Sequence, residues 1–457
     1  MKFTKFGKAL LMSALSAGVV LSITSCVQSY SVGFLYVTST VTAKPDADGI
    51  ITGFKIDHNT GKLTPINGLP VSSGGANPVR AILLNGSRFL YVLNRGYNSA
   101  GTACTGTGSE ACSNATITQF AVGGNGILTP QETFPTQGLN PFRLIADASG
   151  NYIYVLDHDA PLDANGTSNQ ACLNAFGTSN CGDITAFQVN QTTGRLQLVV
   201  NAQVTSANCG TNSANCPLPY FPVPVNPIDF ILNSSTILTV SGTPTTGDSV
   251  FPYTYNGGNG QLTISQNTSQ PLNIKQATAI VSGSTYIYVL DNEPISVTVD
   301  GATSIASQSQ IVPYSIGTGG ALQAATSGPI PDDATQSNPT SMLLESKGKW
   351  IYLANQGNNN TTITSSQNGI TGYVLTSSPY ALAEMPGLPF GTGSGPQCIV
   401  EDPSNQFIYT ANFNDSTVTG RSIDQNAGTL QNLRVTGNGT YPLTGPATWC
   451  VVDGRTS

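Results

Sequence analysis

The chain has 457 residues, only 9% of them charged, and a formal net charge of −7. Leaving out the three lysines of the first 25 residues brings the balance to about −10, and so acidic a surface repels phosphate backbones, which argues against a nucleic-acid partner. Gly, Ser, Thr, Asn and Pro are abundant between short apolar phrases, the pattern of an all-β protein rather than of packed helices.

At the amino terminus Lys2, Lys5 and Lys8 precede the apolar run Ala9 to Leu21, and Ile23-Thr-Ser-Cys26 follows. A basic start, an apolar stretch of this length and small residues before a cut predict a secretory signal over residues 1–25, the run being short for a membrane span of roughly 20 residues. Ile-Thr-Ser-Cys also resembles a bacterial lipobox, which implies a lipid on Cys26, and Val27 resembles an outer-membrane sorting signal. The expected product is a cell-envelope lipoprotein held on the outer membrane, periplasmic or surface-exposed, with simple secretion as the alternative. Residues 26–33 would form a short tether, 34–453 a single domain and 454–457 a tail.

That domain restates one phrase. Its copies are Phe34-Leu-Tyr-Val-Thr-Ser-Thr40, Phe89-Leu-Tyr-Val-Leu-Asn-Arg95, Tyr152-Ile-Tyr-Val-Leu-Asp-His158, Tyr286-Ile-Tyr-Val-Leu-Asp-Asn292, Trp350-Ile-Tyr-Leu-Ala-Asn-Gln356 and Phe407-Ile-Tyr-Thr-Ala-Asn-Phe413, with a worn copy at Ile237-Leu-Thr-Val-Ser241. Both faces of the phrase are apolar, as in a strand covered on both sides. A Pro-led apolar segment precedes it, as in Asn77-Pro-Val-Arg80, Asn140-Pro-Phe-Arg143, Asn226-Pro-Ile-Asp229 and Asn338-Pro-Thr-Ser341; the fifth unit has Ile274-Lys-Gln-Ala277 instead. A third segment follows, such as Ile117-Thr-Gln-Phe120, and then a Gly turn opens a fourth, as in Gly61-Lys-Leu63, Gly126-Ile-Leu128, Gly194-Arg-Leu196, Gly260-Gln-Leu262, Gly320-Ala-Leu322 and Gly428-Thr-Leu430. Each unit is predicted to be a four-stranded antiparallel meander, strands a to d, with the repeated phrase as strand b.

Seven such units predict a seven-bladed β-propeller. The first unit lacks a strand a, while Gly445-Pro-Ala-Thr-Trp-Cys-Val-Val-Asp453 is a surplus one, so the carboxyl end is expected to complete the first blade and close the ring. A single closed ring of this kind is expected to be a monomer.

Nine Cys less Cys26 leave eight, an even number that fits disulfides in an oxidising compartment. Sequence proximity pairs Cys104 with Cys112, Cys172 with Cys181 and Cys209 with Cys216. Matching phrases on neighbouring innermost strands pair Cys398 with Cys450. No pair has C-x2-C spacing and there are two His in all, so nothing marks a metal. The haem phrase C-x-x-C-H, a G-x-S-x-G elbow, H-E-x-x-H and a P-loop do not occur, and no cofactor is expected.

Antiparallel order places the b–c and d–a loops at one end of the ring, and the long insertions 94–114, 157–182, 200–225, 292–309 and 355–369 all fall there. That end, a channel mouth, is where a small-molecule or surface partner should bind. Two residues after each Pro the strand-a heads offer Arg80, Arg143, Asp229, Ser341, Cys398 and Thr448. Two Arg and an Asp could hold a carboxylate or sugar-like ligand through forked hydrogen bonds, or could pair among themselves and with neighbouring acids to hold loops. In Asp157-His158-Asp159, His158 could be a general base oriented by a carboxylate, and Asp157, Asp159 and Asp163 could hold calcium. The structural alternative makes Asp157 a turn cap, in line with Asn94, Asp291, Asn355 and Asn412 at the same place in other units. His58 falls in the c–d turn of the first unit, at the far end, and is expected to be exposed.

The Y-V-x-N phrase, the N-P-x-R lead-in and the G-x-L hairpin resemble the seven-bladed propellers of the lactonase (6-phosphogluconolactonase-like, YVTN-repeat) family, over roughly residues 33–453. The resemblance implies a lactone-ring hydrolase with His, Arg and Glu at the channel mouth, in phrases like G-P-R-H and Y-V-x-N-E. Here Asn140-Pro-Phe-Arg143 keeps the Arg without the His, and Tyr288-Val-Leu-Asp-Asn-Glu293 places its Glu one position late. By the resemblance Arg143 and Glu293 are the partial carry-overs. Two functions follow as expectations: an envelope protein whose mouth, at Arg80, Arg143, Asp229, Asp157 and His158, binds a small ligand, a saccharide or a protein partner without chemistry; or an extracytoplasmic lactone hydrolase using Arg143, His158 or Glu293.

Overall fold

The computed structural model describes residues 30–454 apart from 42–43, 45, 85, 87, 99–111, 113, 163–167, 207–215, 243–246, 265–268, 283–285, 300–301, 358–367 and 377–380. Cys26, Cys104, Asp163 and Cys209 lie outside the described residues, as does the side chain of Cys216.

Seven antiparallel sheets are arranged as blades, each ordered a-b-c-d. Strands a and b are Pro78–Leu84 and Phe89–Asn94 in blade 2, Pro141–Ala146 and Tyr152–Asp157 in blade 3, Pro227–Asn233 and Thr236–Ser241 in blade 4, Ala277–Ser282 and Tyr286–Asp291 in blade 5, Pro339–Leu344 and Trp350–Asn355 in blade 6, and Pro396–Glu401 and Phe407–Asn412 in blade 7. In blade 1 strand b is Ser31–Ser39, and its strand a is the last strand of the chain, Ala447–Val452, paired Val37 to Cys450. The ring is therefore closed between its two chain ends.

The first six residues of the repeated phrase, which form strand b, are all buried in blades 2, 3, 6 and 7. One apolar cluster fills each of the seven seams between blades; Tyr36 with Leu90 and Phe120 between blades 1 and 2, and Tyr91 with Leu144 and Phe187 between 2 and 3, are examples. Burial of this kind supplies the main driving force for folding.

The Tyr of the phrase also ties each blade to the next. Tyr36, Tyr91, Tyr154, Tyr352 and Tyr409 donate their hydroxyls to the carbonyls of Gly126, Gly194, Gly260, Gly428 and Gly61, each the turn glycine between strands c and d of the following blade. Each glycine has φ between 66° and 82°, and a Cβ there would run into the aromatic residue that opens the same phrase: Phe34, Phe89, Tyr152, Trp350 or Phe407. The turn thus needs Gly for its left-handed backbone and again for close packing across the seam. In blade 4 the register differs by one residue from the sequence reading that matched Thr239 to the Tyr: Thr236 opens the phrase, Leu238 stands in the place of the Tyr, and the Gly320 carbonyl takes its hydrogen bond from Gln270 instead.

The outermost strand departs from a simple four-strand blade. In blades 1, 3, 4, 5 and 7 a second short piece, Val71–Ala76, Phe221–Val223, Gln270–Pro271, Ile330–Pro331 or Thr440–Pro442, also pairs with strand c, so strand d is interrupted. Edge strands tolerate such breaks because one side of their ladder is open. At the mouth the insertions carry structure of their own: a hairpin of Ile295–Val299 with Ala302–Ser307, a second of Asn201–Ser206 with Cys216–Leu218, and one helix, α1 (Gln170–Phe176). Asn169 caps α1 by accepting the Cys172 N–H, Gly177 ends it at φ 70°, and Cys172 is bonded to Cys181, Cα 5.6 Å apart. Cys398 and Cys450 join the innermost strands of blades 7 and 1, Cα 6.0 Å apart, and Cys112 is also disulfide-bonded.

Candidate functional site

The mouth is assembled by two devices repeated around the ring. The N–H of the residue that follows strand b donates to the carbonyl of the residue that precedes strand a, from Thr40 to Pro446, Arg95 to Asn77, His158 to Asn140, Gly242 to Asn226, Asn292 to Gln276, Gln356 to Asn338 and Phe413 to Gly395. The last side chain of strand b then ties strand c or the lead-in: Asn94 reaches Thr118, Asn355 reaches Thr371 and Asn412 reaches Thr419, while Asp157 and Asp291 accept the N–H groups of Asn140 and Gln276. Asp157 is wholly buried, so it acts from within the wall and does not line the opening.

A bulge follows the first residue of strand a in blades 2 to 7, and in blade 1 the bulge falls after Ala447. Matching the register to strand b, the residues equivalent to Arg80 are Arg143, Asp229, Ala279, Ser341, Cys398 and, from the closing strand, Trp449 rather than Thr448. Counting from the Pro misplaces this last position by one residue. Thr448 instead hydrogen-bonds Thr38. Blades 5 to 7 contribute small buried side chains, whereas blades 1 to 4 contribute an arc of Trp449, Arg80, Arg143 and Asp229.

Within that arc Arg143 Nε lies 2.9 Å from Asp229 Oδ1, both side chains being partly exposed. The other oxygen of Asp229 accepts the Ile280 N–H at 3.0 Å, so one carboxylate is shared between a guanidinium and the inner edge of blade 5. Arg80 stands with its Cζ 3.9 Å above the Trp449 ring, donates Nη1 to the Val79 carbonyl at 2.7 Å, and has no ion pair among the described residues. Burial lowers its pKa, and the nearby Arg143 and Arg95 lower it further, against the pull of Asp229.

Arg95, His158 and Asp159 lie just outside the arc. Arg95 is buried, and its Nε donates to Asn140 Oδ1 at 2.6 Å. His158 stacks on Phe142, ring centres 3.7 Å apart and planes within 10°. Burial, with the charges of Arg95 and Arg143, pushes its pKa down to about 3, leaving a neutral imidazole that is a weak base near pH 7. Asp159 is the opposite case: burial lifts its carboxyl to about 6, while Asn140 and Arg95 restrain the rise. Asp183, facing Asp157 across strands b and c of blade 3, is also wholly buried, and burial raises both carboxyls, each further disfavoured by its acidic neighbours.

Other expected residues sit elsewhere. Glu293 accepts the Lys275 N–H at 2.9 Å, an ordering role in the loops of blade 5. His58 is partly buried rather than exposed, because its ring stacks on Tyr30, centres 4.5 Å apart. Among the described residues no group of three His, Cys, Asp or Glu side chains is placed to hold a metal ion. Sequence reasoning passed over Arg95, Asn140 and Trp449. The signal for Arg95 was present, since it occupies the same final place in the repeated phrase as His158. Asn140 also departs from its repeat: Asn77, Asn226 and Asn338 adopt left-handed backbones with φ of 54°, 51° and 55°, as Asn tolerates, and Asn140 does not. Its side chain holds Arg95 instead.

Residues 45–211 match a family model described as Lactonase, 7-bladed beta-propeller. No curated protein matches the sequence. Among solved structures the chain is similar to a candidate 6-phosphogluconolactonase of Bacteroides uniformis, 12% identical over 92% of this chain and 99% of that one, with a TM-score of 0.61. It is similar also to a periplasmic gluconolactonase of Pseudomonas aeruginosa (13% identical, 93% and 99% covered, TM-score 0.60) and to a protein of Lactobacillus plantarum (16% identical, 92% and 99% covered, TM-score 0.56). At these identities the likeness is one of fold, and the chain is a lactonase-like seven-bladed propeller.

Proposed function

We propose that this lactonase-like propeller works outside the cytoplasm and seats a small anionic ligand, a sugar acid, at the loop-rich mouth. The supporting observation is the arc at the channel neck. Two guanidiniums, Arg80 and Arg143, stand near a single carboxylate, Asp229, which is ion-paired to Arg143 and gives its other oxygen to the Ile280 N–H. That leaves an excess of positive charge, with donors to spare, in an otherwise acidic protein. The disulfides favour an oxidising compartment, and the lipobox-like Cys26 favours attachment to a membrane through a lipid.

Calorimetric titration with gluconate tests the seat. Saturable binding that falls about tenfold or more in Arg143→Ala is expected, and no binding by the wild type would overturn the reading.

A second reading, hydrolysis of a lactone to its acid, draws support from Asp159. A carboxyl group titrating near 6 can take the proton of a water as that water bonds to the lactone carbonyl. A guanidinium would stabilise the oxyanion, and the ring C–O bond would then break, its alkoxide taking up a proton. Turnover of a lactone panel that is lost in both Arg143→Ala and Asp159→Asn would establish hydrolysis; no turnover of any member would leave binding alone.

A further inference from the structure

We infer that Trp449 is the positioning residue for Arg80, so that the anion seat is completed by the strand that closes the ring. The inference rests on the binding reading above and deepens it.

Arg80 and Arg143 occupy equivalent positions on adjacent blades but are held differently. Arg143 is oriented by an ion pair with Asp229. Arg80 has no ion pair among the described residues, and Arg143 and Arg95 work against its charge. The group facing its guanidinium is the indole of Trp449, with Cζ 3.9 Å from the ring centre. A guanidinium over an indole is attracted by the negative face of the ring, and the flat stack fixes the plane in which its N–H groups point.

Trp449 is itself fixed from both sides. Thr448 is hydrogen-bonded to Thr38, Cys450 is bonded to Cys398, and the indole packs against the apolar clusters of two seams, blade 7 with 1 and blade 1 with 2. A six-residue strand near the carboxyl end therefore carries one wall of the site. Because the two events share Trp449, a ligand held by Arg80 stabilises the closed seam by the same factor by which closure strengthens its binding.

The test is a double-mutant cycle read by gluconate affinity, with each variant first checked for native circular dichroism. Trp449→Leu should weaken binding roughly tenfold, and Trp449→Phe, which keeps an aromatic face, by no more than about threefold. On an Arg80→Ala background Trp449→Leu should cost nothing further. Equal losses on both backgrounds would show that Trp449 acts through the fold at large, and unchanged affinity in Trp449→Leu would show that it does not act on the site; either result overturns the inference. If Arg80→Ala and Arg143→Ala both bind like wild type, the seat itself is wrong and the inference goes with it. Should Trp449→Leu fail to fold, Trp350→Phe leaves Trp449 as the sole tryptophan. Gluconate should then shift its emission, and a silent Trp449 under saturating ligand would count against the inference.

Discussion

Tyr91→Phe probes the link between blades directly. Tyr91 is fully buried and its hydroxyl reaches the Gly194 carbonyl at 2.5 Å, so removing one oxygen atom leaves that carbonyl without this donor inside a closed seam. An unsatisfied buried acceptor costs about 1–3 kcal/mol, more than the net worth of an ordinary hydrogen bond. Gly194→Ala perturbs the same contact from the other side. Its backbone is left-handed at φ 73°, and the new Cβ would lie 2.8 Å from Phe89 Cδ1 and closer still to the Gln119 amide. About 1–2 kcal/mol for the left-handed residue and a further 1–3 kcal/mol for the overpacking make Gly194→Ala the more damaging change. In blade 4, Gln270→Leu should behave like Tyr91→Phe, because Gln270 supplies both the donor to Gly320 and the acceptor for the Leu322 N–H. Equilibrium unfolding in urea, with the midpoint read at constant slope, ranks the three. A midpoint for Tyr91→Phe equal to that of wild type would refute the reasoning that the repeated Tyr serves the next blade's carbonyl.

Deletion of residues 445–457 removes strand a of blade 1 together with Trp449 and Cys450, and should lower Tm by roughly 10 °C or more; a Tm close to that of the full chain would contradict closure by the carboxyl end. Burial lifts the Asp453 carboxyl from its ordinary 3.8 to about 6, so between about pH 4 and 6 the folded protein binds more protons than the unfolded chain, and stability falls as pH rises through that window. Asp453→Asn should make the fall shallower, and an identical pH profile would count against it. Replacing both Cys172 and Cys181 by Ser should leave Tm almost unchanged while speeding proteolysis around α1, since the bond closes a loop of sequence separation 9 outside the seven seams; a large drop in Tm would place α1 in the cooperative core.

The repeated phrase made the blades readable because a two-faced apolar strand, a Pro-led neighbour and a Gly turn each impose their own local geometry. Closure was readable because the first unit lacked a strand that the last unit duplicated. The partnership of each Tyr with the next blade's Gly was not, since the two lie 76 to 106 residues apart in four of the five pairs and 348 apart across the closing seam, and no local rule joins them. The bulge of the closing strand was equally hidden: a one-residue change in register moves the channel position from Thr448 to Trp449, and register is set by pairing. The site emerged where single copies break the repeat, as when Asn140 gives up the left-handed backbone to hold Arg95 and when Arg95 and His158 take the last place of the phrase. The insertions concealed α1 and two hairpins, since their Gly- and Ser-rich text carries little apolar periodicity.

The most direct measurement is a crystal structure of the mature protein soaked with gluconate. The account predicts the carboxylate within hydrogen-bond reach of both Arg80 and Arg143, at the neck beside Trp449. Gluconate bound away from these two guanidiniums, with the Arg143–Asp229 pair and the Arg80–Trp449 stack undisturbed and unvisited, would contradict it.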